Sequence, residues 1–361
     1  MMKLLDRYVV KQFVQIFFFG ILAFILIFLI IDMMENLDDF IDKDVPAEIM
    51  AQYYLVFLPE MVRLITPVAV LLAALFTVGK MSGQNELAAI KAGGVSLYRF
   101  MVPFMVTALI ISLGSVYFGG YVVPFANKEK VKIEQEYMNK SIVHAGSNIF
   151  FQDSKTRIVT IAYYDVNRYQ ANRVSIQEFA DNDITQMLSR IDASRMVYDT
   201  TSGDWILKKA TKREFGKQNE SIFYYDSLAL SHLNFTPEEV YKKQQKPEEM
   251  NITELKDLAD SQLKSGNDPT RILIEYHTRL AYPFASFVIV LFGIPLSANK
   301  RRGGLAVQFI INVLITFIYL VLMNIAQAYG KNGVLDPVLT AWFNNIIFLV
   351  VAIGYIFTVR K

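Results

Sequence analysis

The stretch QFVQIFFFGILAFILIFLII, Gln12 to Ile31, carries no charge over its whole length and is bracketed by Lys11 and Asp32. A hydrocarbon core takes about 20 residues of helix to cross, so this single run is long enough to span a bilayer. Runs of comparable length and apolar character recur at Tyr53–Gly79, Met101–Val123, Ala281–Asn299, Leu305–Tyr329 and Val338–Val359. Between the third and fourth lies a polar stretch, from about Asn127 to Asn267, that holds most of the charge. The whole chain has 361 residues, 53% hydrophobic and only 19% charged. Soluble domains sit near 45–50% and about 25%, so the composition is shifted toward lipid. The expected fold is an α-helical polytopic membrane protein, six transmembrane helices in a 3+3 layout, with one inserted all-β domain.

Charge placement predicts the orientation. The first run opens on Lys3, Arg7 and Lys11 without a small-x-small cleavage site, which reads as an uncleaved signal anchor. With Lys80, Lys91, Arg99, Lys300, Arg301, Arg302, Arg360 and Lys361, one side carries eleven basic residues against Asp6 and Glu86. The other side places Asp32, Glu35, Asp38, Asp39, Asp42, Asp44 and Glu48 around a single Lys43. The excess of Lys and Arg on one side predicts cytoplasmic termini and a large domain outside.

The polar stretch reads as strands at Asn148–Gln152, Arg157–Tyr164, Arg173–Phe179, Ser194–Asp199, Trp205–Ala210 and Ser221–Tyr225. They are short, rich in aromatic and β-branched residues, and separated by Asp, Asn and Gly clusters such as Thr201-Ser202-Gly203-Asp204. Many short strands with turns between them point to a sandwich or jelly roll. Asn251-Ile252-Thr253-Glu254 matches an N-cap with Glu three residues on, opening a helix to about Lys264. The expected domains are residues 1–124, 125–270 and 271–361.

Several chemistries are excluded. A net charge of +2 gives no basic field for nucleic acid. Gly79-Lys80 and Gly216-Lys217 both lack the upstream glycine and following hydroxyl of a phosphate loop, so any ATP is handled by another chain. No cysteine is present, and the three histidines, His144, His232 and His277, lie far apart, which leaves no metal site or cofactor to expect. No nucleophile and base appear at matching depth, so no catalytic residues are expected.

Four segments carry candidate mechanism. Residues Gly79 to Gly94 predict a short helix on the cytoplasmic side, coupling or docking in role, about 82–94. Ser82 or Asn85 opens it, Gly93-Gly94 ends it, and Leu87 and Ile90 share one side with Glu86 as its acid. A solvated connector is the plainer reading. Glu60 and Arg63, i and i+3 in a span carrying Pro59 and Pro67, mark either a polar cavity near the outer leaflet or a structural ion pair. In the fifth span Gln308, Asn312, Thr316, Tyr319, Asn324 and Gln327 recur at helical spacing as one polar stripe, either interhelical glue or the wall of a route for an amphipathic ligand. Glu275, His277 and Arg279 enter the fourth span ahead of Pro283.

The order of these features resembles the lipopolysaccharide-export permeases of Gram-negative bacteria, the LptF/LptG type. The shared elements are Leu5-Asp6-Arg7-Tyr8, Leu58-Pro59-Glu60 and the Gly79 to Gly94 loop with Glu86. Tyr276-His277-Thr278-Arg279-Leu280-Ala281-Tyr282-Pro283, the Pro295 to Gly304 turn and Asn332-Gly333-Val334-Leu335-Asp336-Pro337 look alike too. The opening is similar to LptG, whereas the Pro59-Glu60 and Leu335-Asp336-Pro337 segments look more like LptF. The resemblance implies an inner-membrane permease subunit of an ABC transporter that pairs with a second LptF/LptG-type permease. It implies a dimeric, LptB-like cytoplasmic ATPase that uses ATP and magnesium and receives the helix of Glu86, Leu87, Ile90 and Gly93. Lipopolysaccharide would enter a cavity formed by the first and fifth spans, with Glu60, Arg63, Gln308, Asn312, Thr316, Tyr319 and Arg279 as candidate lining. It would then pass to a periplasmic jelly roll and on to LptC-like and LptA-like proteins. In one respect the chain departs from that pattern: the outer end of the first span, basic in the family, is acidic here from Asp32 through Asp44. Arg63, Lys43 and Arg279 remain as cations for lipid phosphates. The alternative is an ABC-type mechanotransmission or signalling protein whose outer domain relays shape change without moving lipid.

Overall fold

The computed structural model describes residues 4–138, 149–165, 168–181, 183–200, 203–216, 219–230, 233, 235–237, 240, 245–264, 268–298 and 304–358, with the backbone alone at 183, 184, 264, 304–306, 308, 309, 312 and 358. The chain divides into two compact units, Met1–Asn139 with Pro247–Lys361, and Lys140–Lys246.

In the first unit, α1 (Leu4–Asp42) and α2 (Ala47–Gly83) are long helices, followed by the short α3 (Glu86–Ala92). Next, α4 (Leu97–Tyr117) runs through a π-helical turn, Phe118–Val122, into α5 (Val123–Glu136). After the β module come α6 (Ile252–Lys264), α7 (Thr270–Ala281), a 3-10 turn Tyr282–Phe284, α8 (Ala285–Ala298), α9 (Gly304–Lys331) and α10 (Pro337–Thr358). Six helical segments among the described residues are long and apolar enough to cross a membrane, as the apolar runs predict.

The packing explains which helix is central. In α2, Ala69, Ala73 and Ala74 are fully buried, and such small side chains let neighbouring backbones approach closely. Val9, Phe13 and Phe17 of α1, Phe100 and Phe104 of α4, and Val290 and Ile294 of α8 close around that face. A second cluster joins Leu71 and Leu75 of α2 to Val288 and Phe292 of α8, Tyr319 of α9 and Phe348 of α10. By contrast α1 leaves Phe18, Phe19, Leu22, Leu26, Ile27, Phe28 and Ile30 exposed, a surface that in a bilayer meets lipid or another helix.

Among the described residues, 125–138, 247–264 and 268–270 fall in the helical unit of this division. Lys128 on α5 binds Glu254 on α6 at 3.0 Å, and Asn127 Nδ2 donates to the Glu248 carbonyl at 3.3 Å. The predicted cap of α6 is reciprocal. Asn251 Oδ1 accepts from the Glu254 N–H at 2.9 Å, and Glu254 Oε2 accepts from the Asn251 N–H at 2.8 Å. Two helix-start donors are thereby satisfied. Asn251→Ala is expected to cost about 0.5–2 kcal/mol, read as a lower thermal midpoint of the detergent-solubilised chain.

The start of α7 is set by Asp268, whose Oδ1 accepts from the Thr270 N–H at 3.0 Å and from Thr270 Oγ1 at 2.5 Å. These donors hold the Asp268 carboxyl below the usual carboxylate range. A depressed folded-state pKa stabilises the folded form above the unfolded value, and the benefit is lost as pH falls through the folded one. Amide exchange at Thr270 and Arg271 is therefore expected to accelerate on acidification, and Asp268→Asn to flatten that dependence.

The second unit is one antiparallel sheet in sequence order: β1 (Ile149–Gln152), β2 (Arg157–Asp165), β3 (Gln170–Ala180), β4 (Asp183–Asp199), β5 (Asp204–Phe215) and β6 (Glu220–Leu230). All six predicted strands are present, most of them longer than read from sequence. The expected all-β insert is therefore built as a six-stranded meander among the described residues. Alternate residues Val159, Ile161, Ile176, Ile191 and Leu207 turn to one face, where Phe235 and Val240 join their cluster. Trp205 lies at its centre, its Nε1 donating to the Phe235 carbonyl at 2.9 Å. Gly203 closes the β4–β5 hairpin with φ +75°, its N–H reaching the Asp199 carbonyl at 2.8 Å. Thr201 and Ser202 of the predicted turn lie outside the described residues, as do Asn148, His144, His232 and residues 300–303.

Candidate functional site

The predicted cytoplasmic helix is α3, seven residues from Glu86 to Ala92. Asn85 precedes it in the left-handed region at φ +59° with no side-chain cap bond, so the N-terminal turn depends on its backbone geometry. Its end is local in origin. The Val95 N–H reaches the Ile90 carbonyl and the Gly94 N–H the Lys91 carbonyl, with Gly94 at φ +82°, a Schellman closure that only glycine adopts without strain. Leu87, 4% exposed, anchors α3 in the core shared with α1, α2 and α4, and Ile90 packs at its margin. Gly93 caps the helix and is exposed.

Glu86 is held from another helix. Tyr8 Oη on α1 donates to both Glu86 oxygens, at 3.2 and 3.1 Å, while Gln12 Nε2 donates to Tyr8 Oη at 3.0 Å. Two residues earlier on α1, Asp6 Oδ2 accepts from Arg99 Nη2, at the start of α4, at 2.7 Å. Neither tie was foreseen from sequence: Tyr8 lies 78 residues from Glu86, and nothing local in either stretch signals the other.

The Glu60–Arg63 pair forms as the i, i+3 spacing predicts. Arg63 Nε reaches Glu60 Oε2 at 3.1 Å and Nη2 reaches Oε1 at 2.5 Å, a two-pronged contact with both side chains largely covered. The π-helical turn of the third span leaves space for it: a Cβ on Gly119 would stand 3.3 Å from Arg63 Cδ. Nearby Tyr282 Oη donates to the Leu64 carbonyl at 3.0 Å, tying the fourth span to the second.

Arg279 is 3% exposed in its side chain. Nε binds Glu275 Oε1 at 3.1 Å, Nη1 the Met250 carbonyl, and Nη2 the Pro247 carbonyl at 2.5 Å. The structure thus places it as the clamp joining α7 to the turn before α6.

The polar residues of the fifth span divide. Tyr319, 2% exposed, donates from Oη to Asn345 Oδ1 at 2.8 Å, and Asn345 Nδ2 donates to the Ala281 carbonyl at 2.7 Å. That carbonyl is available because the 3-10 turn at Tyr282–Phe284 sends the Ala285 N–H to Tyr282 instead. Asn344 Nδ2 adds a bond to the Tyr319 carbonyl at 3.2 Å. Spans four, five and six are therefore joined through Tyr319, a residue the sequence offered as either interhelical glue or route wall, together with Asn344 and Asn345. Thr316 is buried, Asn324 bonds back to the Leu320 carbonyl at 2.9 Å, and the side chains of Gln308 and Asn312 lie outside the described residues. Tyr319→Phe is expected to cost about 0.6 kcal/mol, the usual size of an interhelical hydrogen bond in a bilayer, measured by unfolding in mixed micelles.

Lys43 lies 3.7 Å from Asp39 and also donates to the Met138 carbonyl. Each cation that sequence reasoning offered to lipid phosphates, Arg63, Lys43 and Arg279, therefore has a carboxylate or carbonyl partner within the chain.

Comparison with known proteins gives the family of the chain. The family model for the lipopolysaccharide export system permease LptF/LptG aligns with residues 7–358. The chain is 22% identical over 355 residues to the lipopolysaccharide export system permease protein LptF of Escherichia coli strain K12, covering 96% of this chain and 93% of that protein. The LptF of Shigella flexneri matches equally, and LptG of Escherichia coli strain K12 is 19% identical over 303 residues, 83% of each chain. With a match from the first turn of α1 to the end of α10, this chain belongs to the lipopolysaccharide export system permease LptF/LptG family.

Proposed function

We propose that this chain is the permease subunit of an ATP-driven transporter that takes lipopolysaccharide from the outer leaflet of the inner membrane and passes it to a periplasmic bridge. The observation that carries the reading is the full-length family match, joined to a short helix between spans two and three whose acid stands at its start. In this reading both termini are cytoplasmic, as the excess of Lys and Arg on one side requires, and the β meander is periplasmic. The helix bearing Glu86, Leu87, Ile90 and Gly93 docks in a groove of an LptB-like ATPase dimer, which binds ATP and magnesium. A second LptF/LptG-type permease completes the membrane part, and LptC-like and LptA-like jelly-roll proteins continue the path outside.

The lipid enters between the first and fifth spans. The uncovered face of α1, with Leu22 and Leu26, supports that assignment, as does the exposed face of α9 with Val313 and Phe317. Glu60 and Arg63 stand at the outer part of this route, and Gln308 and Asn312 are candidates by position in the chain. Thr316, Tyr319 and Arg279 contribute by fixing the spans that form its wall. Because Lys43, Arg63 and Arg279 are already partnered, the cations that meet lipid phosphates come from the second permease or from divalent ions bridging the Asp32–Asp44 acids. Affinity purification of the tagged chain from membranes is the test. An ATPase and a second permease should accompany it; recovery of the chain alone, under conditions that keep membrane complexes intact, would remove the reading.

A further inference from the structure

The contact between Tyr8 and Glu86 has no part in the export reading as stated, yet it joins the two segments that reading separates. Glu86 belongs to the helix assigned to ATPase docking; Tyr8 belongs to the first span, assigned to the lipid route. Tyr8 Oη is placed between both carboxylate oxygens of Glu86, and Gln12, one turn further along α1, donates to that same hydroxyl. The carboxylate accepts a charge-assisted bond, the stronger class. Asp6 and Arg99 add a second tie from α1 to the segment that follows α3. Further out, α1 exposes Phe18, Phe19, Leu22, Leu26 and Ile30, whereas Val9, Phe13 and Phe17 pack into the core near α3. The first span is therefore gripped at its cytoplasmic end and uncovered along its bilayer length.

We infer that Tyr8 is a positioning residue for coupled transport, carrying the displacement of Glu86 directly to the first span. This rests on the docking assignment of Glu86 and deepens it. When an ATPase shifts α3, the Oη–carboxylate bond obliges α1 to follow. The core route through Leu87 touches α1, α2 and α4 alike and favours none of them, whereas the Tyr8 bond acts on α1 alone. Tyr8→Phe removes one hydroxyl and leaves Glu86, Leu87 and the Asp6–Arg99 pair in place, so the first span stays seated.

The test uses the complete complex in lipid vesicles containing lipopolysaccharide, with two readouts. The first is lipopolysaccharide delivered to a soluble acceptor per ATP hydrolysed. Tyr8→Phe removes the hydroxyl that bridges both Glu86 oxygens, so it should lower that ratio severalfold. The second is a nitroxide at Leu22→Cys, the one thiol this otherwise cysteine-free chain would carry, attached before assembly with its partners. Its spectrum should respond to a non-hydrolysable ATP analogue in the parent and not in Tyr8→Phe. The ATPase should still co-purify with Tyr8→Phe. An unchanged ratio with an intact spectral response would overturn the inference. So would loss of the ATPase from Tyr8→Phe, which would make Tyr8 only a support for docking. Glu86→Lys separates the two levels: if it keeps its ATPase the docking assignment fails, while the spectral response still decides the role of Tyr8.

Discussion

Glu86→Lys is expected to strip the ATPase from the complex and abolish lipopolysaccharide export while all six spans still insert. Leu87 fixes α3 in the core and the Schellman closure at Gly94 fixes its end, so the substitution alters charge at one position rather than the shape of the knob. In the proposed docked state the groove pairs the Glu86 carboxylate with a cation; removing one partner of such a desolvated pair costs about 2–5 kcal/mol, a roughly 30-fold or larger loss of affinity, and reversal adds repulsion. Internally the ammonium replaces the acceptor of Tyr8 Oη, so the tie to the first span is lost as well. Pull-down of ATPase with the tagged permease measures the first effect, and membrane extraction at alkaline pH checks insertion. Normal recovery of the ATPase would show that α3 is a solvated connector.

Arg279→Met is expected to produce the largest loss of stability of any single change in the helical unit. The guanidinium is buried and bonded to Glu275 and to the carbonyls of Pro247 and Met250. Methionine retains an apolar stem but leaves two carbonyls and a carboxylate without their donor in a covered site. Breaking one side of a buried ion pair in this way costs about 3–5 kcal/mol. The separation of α6 from α7 should follow, read as faster proteolysis between residues 247 and 270 and a lower melting point in detergent. Cross-linking of lipopolysaccharide to the first span should survive in whatever fraction remains folded. If instead Arg279→Met melts normally and loses lipid contact, the residue belongs to the lipid route.

The architecture was readable because bilayer crossing is a property of composition over about 20 residues and needs no tertiary information. Local signals carried over in the same way. Asn251 and Glu254 cap each other three residues apart, and Glu60 and Arg63 meet across one helical turn. What sequence reasoning missed is set by distance along the chain. Tyr8 finds Glu86 across 78 residues, and Asn345 finds the Ala281 carbonyl across 64. The fifth-span stripe left two readings open for a related reason: helical period groups Thr316 with Tyr319, but the partners of Tyr319 come from α10 and from the broken turn at Pro283. The strands were underread where polar residues interrupt the apolar alternation: Asp183 to Arg190 opens β4, and its Asp, Thr, Gln, Ser and Arg resemble a loop in composition.

The most direct test is photo-cross-linking from a benzoylphenylalanine placed at Leu26, on the uncovered face of the first span, in the complete complex with radiolabelled lipopolysaccharide. An ATP-driven extruder predicts an adduct that requires the lipopolysaccharide headgroup and that declines when ATP is supplied, as lipid leaves for the β module. A headgroup-independent adduct whose yield ignores ATP would contradict lipid export and leave a relay of shape change in its place.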